Sequence, residues 1–368
     1  MTHTYDEDEL YRASSQYRFW SFSPSELAAL RASTHAAAVD RAAHYLLSEG
    51  DVATACLTLD EELRLVQRYS EQVRTTSDFF KWSINVKATA VQYLKRFYLT
   101  NSVMTYPPKE IYKSVLFLAS KTEATHMTLA EYARRIKTEK ADVLAPEYKI
   151  IQSLRFTLDV RQPFRGLRGV LMELLNIAEG KAPSSSPSPN DLASLSPPSS
   201  PPETPASHKS LWKPSAPLPD RPQAAYAAAR QTLDAPALLT DAYFLYTPPQ
   251  LALAALYLAD TPLTEFYLST KLPNDEDGMR TQVSATVREA ADLLLGLATR
   301  PVMTKDQRAE LEIKLDKCRD PATADLVAMD KAAKVDGATA DEAAEKARRK
   351  AERSEAVRKD DDVFGPAL

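Results

Sequence analysis

Five histidines and two cysteines are the side chains here best suited to hold a metal or act as nucleophiles. His3, His35, His44, His126 and His208 form no HExxH run and no paired ligand spacing, so no metal centre is expected. Cys56 stands between Ala55 and Leu57 with no base beside it. Cys318 lies between Lys317 and Arg319, charges that favour a thiolate, but a helix-packing cysteine is the stronger reading. Ser210-Leu211-Trp212-Lys213 fits an SxxK pattern without the partner motifs such a nucleophile needs. A backbone cradle for phosphates needs clustered glycines; the chain has 8, and none builds GxGxxG or GxxxxGK[ST]. These residues predict a binding protein rather than an enzyme, with no cofactor.

The composition narrows the class further. Among 368 residues, 46 are basic and 50 acidic, a net charge of −4, which counts against direct nucleic-acid binding. Apolar residues at 44% and charged residues at 26% are ordinary globular usage. The longest clean apolar run, Leu251 to Ala259, is far short of a membrane span, so no membrane partner is expected. Met1 to Leu10 is acidic and polar, which predicts no secretory signal, and two cysteines suit a reducing intracellular compartment. Pro and Ser fill 23 of the 40 positions in 183–222, a stretch read as too polar and proline-rich to pack, so deletion of about Pro183 to Pro219 is expected to leave folding nearly intact. It contains five Ser/Thr-Pro pairs, at Ser186, Ser188, Ser196, Ser200 and Thr204.

The elements that must carry any site read as helices throughout. Ala, Leu, Glu, Lys and Arg dominate, and no useful length of β-branched alternation occurs. Ser23-Pro24-Ser25-Glu26 is a capping box, with Phe22 and Leu27 placed for a hydrophobic staple. Helical spacing then predicts Leu59 to Phe80, Ile84 to Leu99, Lys109 to Ser120, Leu129 to Ile136 and Pro146 to Phe156, a five-helix unit. The second half predicts helices over Phe164–Ile177, Gln223–Leu233, Pro248–Leu258, Leu263–Lys271 and Thr281–Ala298. Tyr106-Pro107-Pro108 leading to Phe117-Leu118-Ala119-Ser120 is echoed by Thr247-Pro248-Pro249 leading to Tyr257-Leu258-Ala259-Asp260, a weak internal repeat. Ala340 to Lys359 reads as a solvated charged helix, and Lys346 to Lys350 as either its basic face or a nuclear-import patch.

Several strings resemble the cyclin H family. They are Tyr11-Arg12-Ala13-Ser14-Ser15-Gln16-Tyr17-Arg18-Phe19-Trp20-Ser21-Phe22-Ser23, Tyr93-Leu94-Lys95-Arg96-Phe97-Tyr98-Leu99-Thr100-Asn101-Ser102-Val103-Met104, Phe117-Leu118-Ala119-Ser120-Lys121-Thr122-Glu123, Leu239-Thr240-Asp241-Ala242-Tyr243-Phe244-Leu245-Tyr246-Thr247-Pro248 and Glu310 to Cys318. The resemblance runs from Tyr11 to Asp320 outside the Pro/Ser stretch. It implies an all-α chain of two tandem five-helix cyclin boxes with packed N- and C-terminal helices. The implied divisions are an N-terminal segment over 1–57, a first box over 58–161, a second over 162–300 with an insertion over 181–222, and a C-terminal helix and charged tail over 301–368.

By that resemblance the chain is a regulatory subunit that binds and activates a cyclin-dependent kinase catalytic subunit. A RING-finger assembly factor completes the CDK-activating kinase. That trimer is the kinase module of TFIIH, which phosphorylates the RNA polymerase II C-terminal domain. The TFIIH core is then a further partner, and the location nuclear. The family's kinase-contacting Lys and Glu fall on Lys121 and Glu147, with apolar contact from Leu118, Tyr148 and Ile151. Pro146 and Thr122 depart from the family pattern beside them. Leu63-Arg64-Leu65-Val66 does not reproduce the Met-Arg-Ala-Ile-Leu docking run of cell-cycle cyclins, so no such docking is expected. Deletion of about Pro183 to Pro219 is expected to leave kinase binding nearly intact as well. The alternatives are a cyclin-fold transcription-factor module on nucleic acid and a helical scaffold without a kinase.

Overall fold

The computed structural model describes residues 7–46, 55–184, 186–272, 278–297 and 303–336. The proposed helix over Ala340 to Lys359 and its basic run lie outside the described residues. All regular elements among the described residues are helices. Two short helices, α1 (Glu7–Ala13) and α2 (Ser15–Trp20), lead into α3 (Pro24–Ala42). The first module is α4 (Leu59–Phe80), α5 (Ile84–Thr100), α6 (Pro108–Thr122), α7 (Leu129–Ile136), α8 (Lys140–Leu144) and α9 (Glu147–Ser153). The second is α10 (Phe164–Ala178), α11 (Pro189–Ala193), α12 (Asp220–Asp234), α13 (Pro236–Leu239), α14 (Ala242–Leu245), α15 (Pro248–Ala259), α16 (Thr261–Lys271) and α17 (Met279–Leu295). Two C-terminal helices follow, α18 (Lys305–Lys317) and α19 (Leu326–Asp336).

Helix starts follow the sequence closely. Ser23 and Glu26 close their capping box, with Ser23 N donating to Glu26 Oε2 at 2.7 Å and Glu26 N to Ser23 Oγ at 3.3 Å. Both Pro-Pro pairs begin a central helix, α6 at Pro108 and α15 at Pro248, so the internal echo marks the same structural event twice.

Each module wraps around one buried helix. In α5 every residue from Val86 to Leu99 is buried. The polar members bind the rest of the fold. Lys87 Nζ meets Asp78 at 2.6 Å and Asp234 at 2.9 Å, and Lys95 Nζ donates to the carbonyls of Leu238 and Thr240. Arg96 donates to Gln16 Oε1 at 3.1 Å and lies 5.0 Å from the Trp20 ring. Burial lowers its pKa to about 10. A buried cation is tolerated only with partners, so these side chains tie α5 to the second module and to the N-terminal segment.

The terminal helices pack on the modules. Trp20, Leu27, Leu99 and Phe244 form a small core of their own, joining α2 and α3 to both modules. Arg31 grips Asp241 in a two-pronged pair at 2.7 and 2.8 Å, and Thr34 Oγ1 donates to the Leu99 carbonyl at 2.7 Å. From the other end, Lys314 pairs with Glu61 at 2.8 Å and Arg319 with Glu110 at 2.8 Å. The two ends meet where Tyr45 Oη donates to the Cys318 carbonyl at 3.1 Å. Cys318 is fully buried and its thiol is pushed up to about 11, opposite to what its basic neighbours alone would do, so it is a packing residue.

The Pro/Ser stretch corrects its sequence reading: it packs. Leu192, on α11, is fully buried in the main core. The break between α15 and α16 explains the rest. The Ala259 carbonyl has no helical partner there, and it accepts from Ser210 N at 2.9 Å and Ser200 Oγ at 3.2 Å. Thr261 N, an orphan donor at the start of α16, reaches the Ser199 carbonyl at 2.8 Å. Low hydrophobicity therefore does not free this segment, because a helix junction needs its backbone groups. Deleting residues 183–219 should lower the melting temperature and cost about 2 kcal/mol or more, since burial of Leu192 alone is of that size. A melting curve unchanged by the deletion would contradict this.

Candidate kinase-contact site

Two helix ends bring the predicted charged residues together. α6 closes at Ala124, which takes a left-handed backbone (φ 50°) while Thr125 N bonds the Ser120 carbonyl at 2.8 Å and Ala124 N the Lys121 carbonyl at 3.3 Å. Lys121 thus sits in the last turn of α6, where a cation complements the helix dipole. Pro146 caps the start of α9 and places Glu147 in the first turn, the end that favours an anion. The Lys121 Nζ donates to Glu147 Oε1 at 2.6 Å and lies 5.1 Å from the Phe117 ring. The two charges therefore satisfy each other rather than standing free in solvent. Lys121 keeps 41% of its side-chain surface and Glu147 only 20%, and the second carboxylate oxygen of Glu147 is buried with no hydrogen-bond partner.

The three apolar residues divide. Tyr148 is 66% exposed, an unusual degree for a large aromatic beside a charged pair. Ile151 is half-buried against the core. Leu118 is 3% exposed: its side chain faces the core, so it fixes α6 from within and offers no surface in this conformation. Thr122, the departure from the family pattern, accepts a hydrogen bond from Tyr93 Oη and donates to the Ala119 carbonyl, which ties the end of α6 to α5.

Two further apolar residues near α9 in the chain, missed in the sequence, are exposed. Leu144 ends α8 at 39% exposure, and Phe156 follows α9 at 64%. Sequence spacing extends the helix to Phe156, but α9 stops at Ser153, and Arg155 and Phe156 both adopt left-handed backbone, at φ 54° and 56°. Two consecutive non-glycine residues there cost about 1–2 kcal/mol each. The N-terminal segment stabilises that turn. Trp20 Nε1 donates to Thr157 Oγ1 at 2.9 Å, and the Arg155 guanidinium lies over the Trp20 ring at 5.6 Å and the Phe19 ring at 5.7 Å. No local motif signals this conformation, since it is imposed from 137 residues away.

Family comparisons agree with this arrangement of two modules. Residues 73–159 match the family model for the cyclin N-terminal domain, and residues 162–295 match that for the cyclin C-terminal domain. A solved structure, that of the CAK complex from Chaetomium thermophilum bound to ATP-gamma-S, contains a chain 34% identical at a TM-score of 0.73, and the match covers 91% of this chain and 96% of that one. The chain belongs to the cyclin family.

Its relatives include cyclins of the H type: the Putative cyclin-H of Dictyostelium discoideum is 32% identical over 45% of this chain. Cyclin CCL1 of Saccharomyces cerevisiae is 32% identical over 73% of this chain, and Cyclin mcs2 of Schizosaccharomyces pombe is 34% identical over 44%. The cyclin spans 63% and 54% of the length of those two curated relatives. The yeast TFIIK (Kin28/Ccl1/Tfb3) complex holds a chain 28% identical at a TM-score of 0.55, and all of that chain is matched by 77% of this one.

Proposed function

We propose that this cyclin is the non-catalytic regulatory subunit of a cyclin-dependent kinase, within a CDK-activating kinase that also serves as the kinase module of TFIIH. The observation that carries the reading is the Lys121–Glu147 pair at the meeting of two helix ends, next to exposed Tyr148. A protein kinase is active only when its C-helix glutamate reaches the strand lysine. A rigid surface that holds that helix inward supplies the missing positioning. Lys121 has donors to offer to backbone carbonyls, and the Glu147 carboxylate, once it exchanges its bond from Lys121, is an acceptor for backbone N–H groups. Tyr148 supplies apolar area, and Ile151 and Leu118 hold the two helix ends against the core, so the proposed interface is carried by Lys121, Glu147 and Tyr148, with Ile151 and Leu118 positioning them from within.

Similarity to the CAK and TFIIK chains supports two further partners, a RING-finger assembly factor and the TFIIH core, and a nuclear location. The working divisions are 1–57, 58–161 for the first box, 162–300 for the second, and 301–368. Affinity capture of the full chain from nuclear extract, read by mass spectrometry, should recover a cyclin-dependent kinase together with a RING-finger protein. Recovery of nucleic acid or unrelated proteins without a kinase would overturn the proposal.

A further inference from the structure

The Ser/Thr-Pro pairs of the insertion lie outside the proposed interface, and the fold makes them unequal. Thr204 is buried. Ser200 Oγ donates to the Ala259 carbonyl at 3.2 Å. Ser196 is exposed, but its carbonyl is held at 2.8 Å by the buried Arg221 guanidinium. Ser186 is half-buried, and its amide closes a turn on the Pro183 carbonyl at 2.8 Å. Ser188 alone of the five combines an exposed side chain, an extended backbone (φ −82°, ψ 164°) and no tie to another part of the fold. Its partners are local: Ser188 N and Oγ donate to Asp191 Oδ2 at 2.7 and 2.9 Å, and Asp191 N donates to Ser188 Oγ at 3.3 Å.

We propose that Ser188 is a phosphorylation site for a proline-directed Ser/Thr kinase, and that the phosphate unlatches residues 188–195 from the second module. The kinase's catalytic Asp takes the Ser188 hydroxyl proton as Oγ forms its bond to the γ-phosphorus of ATP, and the bond to the leaving ADP oxygen breaks. The product has lost the donor that Asp191 accepted and sets a dianion beside that carboxylate. The Ser188 amide, which the modification leaves in place, holds the Asp191 carboxyl below its ordinary value, so the like charges meet directly. The next residue, Leu192, is the apolar anchor that fastens this segment to the core. Repulsion at the latch therefore acts one residue from the anchor.

The test uses the full chain. Incubation with an active mitogen-activated protein kinase and ATP, followed by phosphopeptide mapping, should place phosphate mainly on Ser188, and Ser188→Asn, which keeps an N-cap, should abolish that signal. A second sample carries genetically encoded phosphoserine at 188. Its amides over 192–195 should exchange with deuterium about tenfold faster, the size expected when a cap is lost, and Asp191→Asn should reduce the acceleration. No incorporation, or incorporation confined to the other pairs, overturns the site. Unchanged exchange in the phosphoserine protein, or an acceleration indifferent to Asp191→Asn, overturns the unlatching.

Discussion

Asp260→Ala should be the most destabilising single substitution in the second module, at about 3–5 kcal/mol, because it strands a buried guanidinium. Arg221 and Asp260 are 1% and 0% exposed, and they pair through two bonds of 2.9 and 3.0 Å. The same carboxylate accepts from Leu263 N at 3.1 Å, so it also caps α16. Arg221 in turn donates to the Ser196 carbonyl and lies 5.3 Å from the Trp212 ring, which connects the insertion to the pair. Replacing both members by apolar residues, Arg221→Met with Asp260→Leu, should recover part of the loss, since no charge is then left alone. Chemical denaturation of the three variants checks this. A loss below about 1 kcal/mol for Asp260→Ala, the range of an exposed pair, would show that the pair does not hold the junction.

The sequence made some of this architecture readable and left other parts hidden, for physical reasons. Capping boxes and Pro-Pro starts are local chemistry, so the beginnings of α3, α6 and α15 were legible. Asp260 was visible only as the last letter of an echoed string. Its partner Arg221 lies 39 residues away, and no spacing rule connects them. The short α8, the left-handed pair Arg155 and Phe156, and the burial of Lys87, Lys95 and Arg96 likewise depend on distant partners. For the proposed contact site, the family motif selected Lys121 and Glu147, but their pairing at 2.6 Å required the fold. Leu118 shows the converse. Its place in the motif suggested surface contact, whereas helical phase turns it into the core.

Lys121→Ala and Glu147→Ala should each weaken binding of the kinase catalytic subunit by about 2–5 kcal/mol, the range for removing one member of a desolvated, hydrogen-bonded charged contact. Stability should hardly change. In the free cyclin the two form a partly exposed ion pair, with Lys121 at 41%, and such pairs contribute about 0–1 kcal/mol. Because the residues satisfy each other before binding, the kinase must exchange that bond for its own backbone groups. The double variant should therefore lose less than the sum of the two singles. Calorimetric titration beside a melting curve, for the unmodified cyclin and all three variants, separates the outcomes. Equal affinities would remove both residues from the interface. A lowered melting temperature with normal affinity would make the pair structural.

The central claim, that this cyclin activates a kinase by holding its C-helix, is tested most directly by adding the purified full chain to an isolated cyclin-dependent kinase catalytic subunit. Phosphorylation of a Ser-Pro peptide is followed as the cyclin is titrated in. The account predicts that the cyclin alone transfers no phosphate, and that kinase activity rises from near zero and levels off at one cyclin per kinase. Activity that stays flat throughout the titration, or phosphate transfer by a cyclin preparation free of kinase, would contradict it.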